Sequence, residues 1–216
     1  MAEMSISSLR GKWAQGIKPR EFMWVLKDQL AVSERIGGKG ENHRPIRRQE
    51  EIVWILNNSI DLTISLIPAP HNLEAYKKLG LPHRHWPVPS GEDPTIRLPQ
   101  IYEQMGIAIE NNKTMLMHRI TLDDTVMGFM GGFLIWGGYL ESATDTTVMI
   151  ERLFGKQVGP KGRVIINTLA ADPTMRKGIT PPPRTEEDEL DEAAADAQIG
   201  ADVEASTDDD LADEAP

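Results

Sequence analysis

The residues whose types and spacing could do chemistry are concentrated in the sequence MLMHRITLDDTVMGFMGGFL, from Met115 to Leu134. An apolar strand ending at His118, an eight-residue bend and a glycine-containing apolar helix are the layout of a loop that binds phosphate. The N–H groups at the start of such a helix carry a partial positive charge, which attracts anions. This bend also contains Asp123 and Asp124, whose negative charges oppose a bound phosphate. The segment therefore has the layout of a phosphate-binding loop, while its two aspartates disfavour a bound phosphate.

The acidic residues of the bend offer the helix a partner from within the chain. A helix that begins near Val126 has N–H groups in its first turn that lack intrahelical acceptors. Asp123, Asp124 or Thr125 can accept hydrogen bonds from these groups, which stabilises a helix by about 1 kcal/mol. We therefore predict that the protein itself fills the position that an anion would take.

The composition excludes several kinds of chemistry. The chain has 216 residues and no cysteine, so disulfides, thiolate catalysis and cysteine-bound zinc are ruled out. The first residues, MAEMSISSLRGKW, lack the apolar segment of a secretory signal, and no run reaches the roughly 20 apolar residues of a membrane span. Because the apolar run that contains them is too short for a membrane span, we interpret the glycines from Gly128 to Gly138 as positions where a buried helix packs closely. We expect a cytoplasmic protein that does not span a membrane.

Charge divides the chain into a mildly basic part and an acidic tail. Of the 33 acidic residues, 14 lie in residues 185–216, which contain no Lys or Arg, so the rest of the chain carries 23 Lys and Arg against 19 Asp and Glu. Three prolines at 181–183 favour an extended boundary, and the dense like charge beyond them predicts disorder. We predict an N-terminal extension (1–20), one domain (21–178) and a Pro-led acidic disordered tail (179–216).

Within the domain, strand and helix patterns alternate along the sequence. This alternation predicts an α/β fold with a largely parallel central sheet flanked by helices. The predicted strands are residues 22–26, 30–34, 62–68, 83–89 and 114–118. The predicted helices are residues 49–57, 72–80, 96–111, 126–140 and 145–155, and a last one between 159 and 173.

Four segments carry a family resemblance: WVLKDQLAVSERIGG, RRQEEIVWI, ISLIPAPHNLEAYKKLGL and IERLFGKQVGPKGR. Together with the strand that ends at His118, the short loop and the buried helix, they resemble the dual-specificity and tyrosine phosphatase family. The resemblance covers roughly Phe22 to Ala170 and looks closest to an actinobacterial-type branch. It implies the dual-specificity phosphatase fold for the predicted α/β domain.

The resemblance also implies which residues would form the site. Active members carry His-Cys, then five residues, then Arg followed by Ser or Thr. On this pattern His118 matches, while Arg119 stands in place of the cysteine nucleophile and Thr125 in place of the phosphate-binding arginine. A guanidinium cannot act as a nucleophile. In the segment SGEDPT, Asp93 holds the place of the family's general acid.

We therefore expect no catalytic residue, and we interpret the loop and Asp93 as vestigial. The vestigial loop residues are His118, Arg119, Asp123, Asp124 and Thr125.

Two histidines on one predicted strand raise the possibility of a metal site. His83 and His85 are two positions apart, so their side chains would project from the same face. No third ligand has the spacing of a metal motif. We expect a polar strand face, with no bound metal and no cofactor.

Arginines in the loop before the first predicted helix form a basic cluster. This cluster is interpreted as a solvated surface or as a docking surface for an acidic partner, for RNA or for the tail of the chain itself. No aromatic residues interleave with the basic ones as in RNA-binding platforms, so nucleic acid is the least favoured partner. The cluster comprises Lys39, His43, Arg44, Arg47 and Arg48.

Our leading hypothesis from the sequence is a pseudophosphatase, a binding or regulatory module with a protein partner. One alternative is a phosphoesterase with non-cysteine chemistry, in which Asp123 or Asp124 serves as nucleophile or metal ligand and Asp93 as acid. Another is an interaction protein that acts mainly through its acidic tail. No pattern in the sequence indicates an oligomeric state.

Overall fold

The computed structural model describes residues 14–38, 45–88 and 94–177, without the side chains of residues 94–96. These residues contain five strands and six helices, followed by one 3-10 turn. The strands are β1 (Met23–Leu26), β2 (Leu30–Glu34), β3 (Leu62–Ser65), β4 (His83–His85) and β5 (Met115–Arg119). The helices are α1 (Pro45–Asn57), α2 (Leu73–Lys78), α3 (Pro94–Glu110), α4 (Asp124–Trp136), α5 (Ala143–Phe154) and α6 (Pro160–Ala171), and the 3-10 turn is Pro173–Met175.

The five strands form one sheet in the order β1-β2-β5-β3-β4. The β2–β5, β5–β3 and β3–β4 pairs are parallel, and β1 pairs with β2 in the antiparallel direction. The predicted α/β fold with a largely parallel central sheet is therefore confirmed. Because β5 is the central strand, the loop that follows it lies at the middle of the carboxyl edge of the sheet.

Helix α4 is the most deeply buried helix that the structure describes. Every residue from Val126 to Trp136 is buried, as predicted for the glycine-containing segment. The glycines allow α4 to approach α6 closely: a methyl group added at Gly128 would lie 2.5 Å from the Cα of Gly162. Phe129, Phe133 and Trp136 pack with Tyr102 of α3 in the larger of two apolar clusters. The packing holds α4 in a fixed position below the carboxyl edge.

Several predicted boundaries were wrong, each for a local reason. Helix α1 begins at Pro45 rather than at residue 49, because proline suits the first helical position. Helix α4 begins two residues before Val126 and ends at Trp136, where Gly137 and Gly138 follow. Strands β3 and β4 end before residues 68 and 87, both prolines, which do not donate to a sheet. Pattern alone placed the element centres better than their ends.

Some predictions concern residues outside the described ranges. These are Asp93, the basic residues Lys39, His43 and Arg44, most of the N-terminal extension and the whole of the predicted tail, residues 179–216. Among the helices of the described ranges, none is long and apolar enough to cross a membrane.

Candidate functional site

The side chains at the carboxyl end of β5 point to opposite faces of the sheet, because successive residues of a strand alternate. His118 lies in register with Ser33 and Ser65 on the neighbouring strands, and Arg119 with Glu34. His118 and Arg119 are both buried, with exposed fractions of 1% and 6%. The two residues that the sequence analysis placed at the start of the site thus belong to two different environments.

Arg119, the last residue of β5, binds the loop that follows the strand. Its Nη1 donates to both carboxylate oxygens of Asp123, at 3.1 Å to Oδ1 and 2.9 Å to Oδ2. Its Nη2 lies 3.3 Å from the carbonyl oxygen of Val88, near the end of the chain segment that precedes Asp93. The guanidinium at the end of β5 therefore connects the β5–α4 loop, residues 120–123, to the segment after β4.

Asp123 also caps helix α4. Its backbone is extended, and its Oδ1 accepts a hydrogen bond from the N–H of Val126 at 3.1 Å. One of the three residues predicted as possible caps therefore serves as the cap. The carboxylate occupies the positive end of the helix, where a phosphate would otherwise meet the N–H groups.

Asp124 and Thr125 lie in the first turn of α4, and Asp124 faces a different neighbour from Asp123. A methyl group added at Gly159, the residue before α6, would lie 2.8 Å from Oδ2 of Asp124. The Oδ1 atom of Asp124 is buried and has no hydrogen-bond partner among the described residues. The structure thus separates the two aspartates that the sequence places side by side.

A lysine that the sequence analysis did not single out stabilises the same loop. The Nζ of Lys156, in the turn between α5 and α6, donates to the carbonyl oxygen of Leu122. The turn is itself held by Glu151, whose Oε1 accepts hydrogen bonds from the N–H of Val158 and from Arg163 Nη2. The only sequence signal for Lys156 is its place in the segment IERLFGKQVGPKGR, which carried the family resemblance.

His118 lies in a buried polar environment on the other face of the sheet. Its Nε2 is 3.1 Å from the hydroxyl oxygen of Tyr76, and its Nδ1 has no partner among the described residues. Burial, followed by the charges of Arg35 and His85, lowers the pKa of His118 from 6.5 to about 3. The imidazole is therefore neutral at physiological pH. Nothing in the sequence pattern indicated its partner Tyr76.

His83 and His85 bind the protein backbone. His83 Nδ1 donates to the carbonyl oxygen of Leu81 at 2.8 Å, and His85 Nε2 donates to that of Ile67 at 2.7 Å. Among the residues with described positions, no group of three or more His, Asp or Glu side chains is arranged to hold a metal ion. The two histidines thus orient the segments around β4.

The arrangement at the carboxyl edge limits its possible chemistry. A nucleophile for phosphoryl transfer has to be exposed at the loop with N–H donors aimed at the phosphoryl oxygens. Here the first position of the loop is a buried arginine, and the donor of Val126 is bonded to Asp123. The loop is therefore stabilised by bonds among its own residues.

Comparison with known proteins identifies the fold. No protein-family model and no curated protein sequence matches the chain. Among solved structures, it is similar to the core catalytic domain of the PP-IP phosphatase Siw14 from S. cerevisiae, with a TM-score of 0.55 and 16% identity over 73% of this chain and 90% of that one.

Two further solved structures agree with this assignment. DUSP15 has a TM-score of 0.55 and 13% identity, covering 73% of this chain and 94% of its own. Kinase-associated phosphatase, with its catalytic cysteine replaced by serine, has a TM-score of 0.55 and 18% identity, covering 72% of this chain and 98% of its own. At these identities the likeness concerns the fold alone. The described α/β domain has the fold of the dual-specificity and protein-tyrosine phosphatases.

Proposed function

We propose that this protein is a pseudophosphatase, a phosphatase-fold protein that binds a partner protein and does not hydrolyse phosphoesters. The observation that carries the proposal is the bonding of Arg119, Asp123 and Val126 to one another. The carboxylate of Asp123 lies at the helix end where a phosphoryl group would be held, and the guanidinium lies where the resemblance places the nucleophile. The chain also contains no cysteine that could replace it.

Electrostatics supports the loss of phosphate binding. Losing a charge-assisted hydrogen bond from arginine costs about 1.5–3 kcal/mol of binding free energy. The residue at that place, Thr125, is a half-buried alcohol without a positive charge. Asp123 then adds a negative charge at the same end of the helix, which repels a phosphate dianion. A protein that only binds a partner protein can keep this fold without binding a phosphate.

The enzymatic half of the proposal is tested with a chromogenic aryl phosphate. We expect no turnover by the purified protein. Phosphatase activity that Asp93→Asn abolishes, while the control Asp145→Asn retains it, would overturn the proposal. Asp145 is a suitable control because it is exposed in the first turn of α5. Activity equal in all three proteins is assigned to a contaminating phosphatase if further purification removes it, and activity that stays with the purified protein would also overturn the proposal.

The binding half requires a partner that recognises the domain. Full-length protein and a chain truncated after Pro183 are used as baits under identical conditions. We expect the same partner to be recovered by both. Recovery by the full chain alone would instead assign the interaction to the acidic tail.

One observation favours a second candidate, an aspartate-based phosphoesterase. The Oδ1 atom of Asp124 has no hydrogen-bond partner among the described residues, so it is available to act as a nucleophile or to bind a metal ion. Its carboxylate is nevertheless packed against the glycines that begin α6, which leaves little space for a phosphoryl group. Metal-dependent hydrolysis that is lost in Asp124→Ala and retained in Asp145→Ala would establish this candidate.

A further inference from the structure

Three buried polar atoms share one face of the sheet near its carboxyl edge. They are Oγ1 of Thr63, Oγ of Ser65 and Nδ1 of His118, and none of them has a hydrogen-bond partner among the described residues. Thr63 is 0% exposed, and Ser65 and His118 are each 1% exposed, so bulk water does not reach them. We call these three atoms the sheet polar cluster.

The pairing of β3 with β5 brings the three side chains together. Ser65 is the register partner of His118, and Thr63 lies two residues earlier on β3. Residues two apart on a strand point to the same face and are about 6–7 Å apart, and neighbouring strands are about 4.8 Å apart. The three side chains therefore point into one small region beside the sheet.

Tyr76 of α2 covers this region. Its ring makes edge contacts with His118 on β5, at 5.8 Å between centroids, and with His83 on β4, at 5.6 Å. These two strands flank β3 in the sheet, so the ring lies over the face of β3 that carries Thr63 and Ser65. The cluster is thus enclosed between the sheet and α2.

The grouping of these atoms is particular to this face of the sheet. The other buried side-chain atoms without a partner in the described ranges each lie on a different element. They belong to Arg48 in α1, Asp124 in α4, Thr146 in α5 and Arg176 after the 3-10 turn. Only in the sheet polar cluster do such atoms belong to directly paired residues of neighbouring strands.

The chemistry of the cluster defines what it can bind. Buried polar groups destabilise a fold unless they form hydrogen bonds, so native proteins leave few of them unpaired. Nδ1 of the neutral His118 ring is a donor or an acceptor according to its tautomer, and the hydroxyls of Ser65 and Thr63 can do both. A suitable ligand is small, donates as well as accepts, and carries no charge, because an ion would be buried without a counter-charge in the cluster.

We propose that the sheet polar cluster binds one or two internal water molecules that join His118 to Ser65 and Thr63. An internal water typically makes about three hydrogen bonds to buried polar groups, and the cluster offers three partners. Such a water would hold the His118 ring at the nitrogen that Tyr76 does not contact, and would connect β3 to the end of β5. This hydration site goes beyond the proposed function and does not depend on it.

A crystal structure of the full chain, at a resolution that defines ordered water, is the first test. We expect a water oxygen within about 2.7–3.2 Å of both His118 Nδ1 and Ser65 Oγ. A direct hydrogen bond between these two side chains, or the absence of a water within reach of them, would refute the site. Neither result changes the expected phosphatase assay, so the two proposals are tested separately.

Substitution tests the site in solution by oxygen-17 relaxation dispersion, which counts long-lived internal waters. The double variant Thr63→Val/Ser65→Ala removes both hydroxyls and is expected to lose at least one such water per chain. The control Thr146→Val removes an isolated buried hydroxyl of α5 and is expected to lose none. Equal counts in the parent protein and the double variant, or an equal loss in the control, would refute the site.

A milder variant serves if the double variant does not fold. Ser65→Ala removes one of the three partners and is expected to shorten the residence time of the water by about three- to tenfold, the effect of one hydrogen bond. An unchanged residence time would refute the site.

Discussion

Nη1 of Arg119 lies 2.9 Å from Oδ2 and 3.1 Å from Oδ1 of Asp123, so one nitrogen binds both oxygens of the carboxylate. The arginine side chain is 7% exposed and the aspartate side chain is 42% exposed. The pair is thus a partly solvated ion pair, and its energy lies between that of a surface pair and that of a buried one. The Arg119–Asp123 pair matters for the fold because it lies at the start of α4.

Arg119→Ala is expected to destabilise the fold. The change removes hydrogen bonds to Asp123 and Val88, and about 1–2 kcal/mol of unfolding free energy is expected to be lost. A double-mutant cycle with Asp123→Ala, measured by urea denaturation, is expected to give a coupling energy of about 1 kcal/mol. The exposed pair Glu74–Lys78, on helix α2, has the same spacing of four residues in the sequence and serves as control. A coupling energy no larger than that of the control would contradict the structural role of the Arg119 pair.

Asp123→Ala is expected to open the start of α4 to anions. The N–H of Val126 loses its acceptor, while the positive charge of Arg119 remains nearby. Added sulfate is expected to shift the Val126 amide signal in the variant and not in the parent protein, at matched ionic strength. A saturable shift of this signal in the parent protein would show that Asp123 does not exclude anions.

Gly128→Ala is expected to destabilise the protein through crowding of α4 against α6. The added methyl group would lie 2.5 Å from the Gly162 Cα, and forced overpacking costs about 1–3 kcal/mol or more. Gly80→Ala is the control, because its added methyl group meets nothing within 4 Å, although its φ of +70° costs about 1 kcal/mol. Thermal unfolding is expected to show the larger loss for Gly128→Ala. The opposite order would mean that the two helices can separate easily.

His118 is expected to make the protein less stable as the pH falls. Burial lowers its pKa from 6.5 to about 3, so between these values the unfolded chain binds a proton that the folded chain does not. Stability therefore falls as the pH decreases from about 6.5 to about 3, by as much as about 4–5 kcal/mol from this residue.

Substitution separates this contribution from those of the acidic residues. His118→Gln keeps a polar group near Tyr76 and does not titrate, so urea denaturation across this range is expected to show a shallower decrease in stability. The control His71→Gln changes an exposed histidine and is expected to retain the slope of the parent protein. Equal slopes in all three proteins would mean that His118 is protonated in the folded state.

The pattern of the sequence predicted the fold class because periodicity reflects which side of an element is buried. The alternating strands and helices, the buried helix with its glycines and the end of α5 before Gly155 all follow from such local signals. The starts of α1 and α4 were placed too late, because the residues at helix ends are chosen by capping and backbone geometry more than by apolar spacing.

At the candidate site, the sequence by itself determined that no cysteine is present to act as a nucleophile. It also determined that Asp123, Asp124 and Thr125 were available to cap α4. The absence of cysteine and the acidic bend after His118 are properties of composition and order alone. Only the tertiary structure decided that Asp123 binds Arg119, that Asp124 faces Gly159 and that Lys156 supports Leu122. Neighbouring aspartates are alike in sequence, and their partners come from distant segments. Their roles are therefore decided by how α4, α5 and α6 pack.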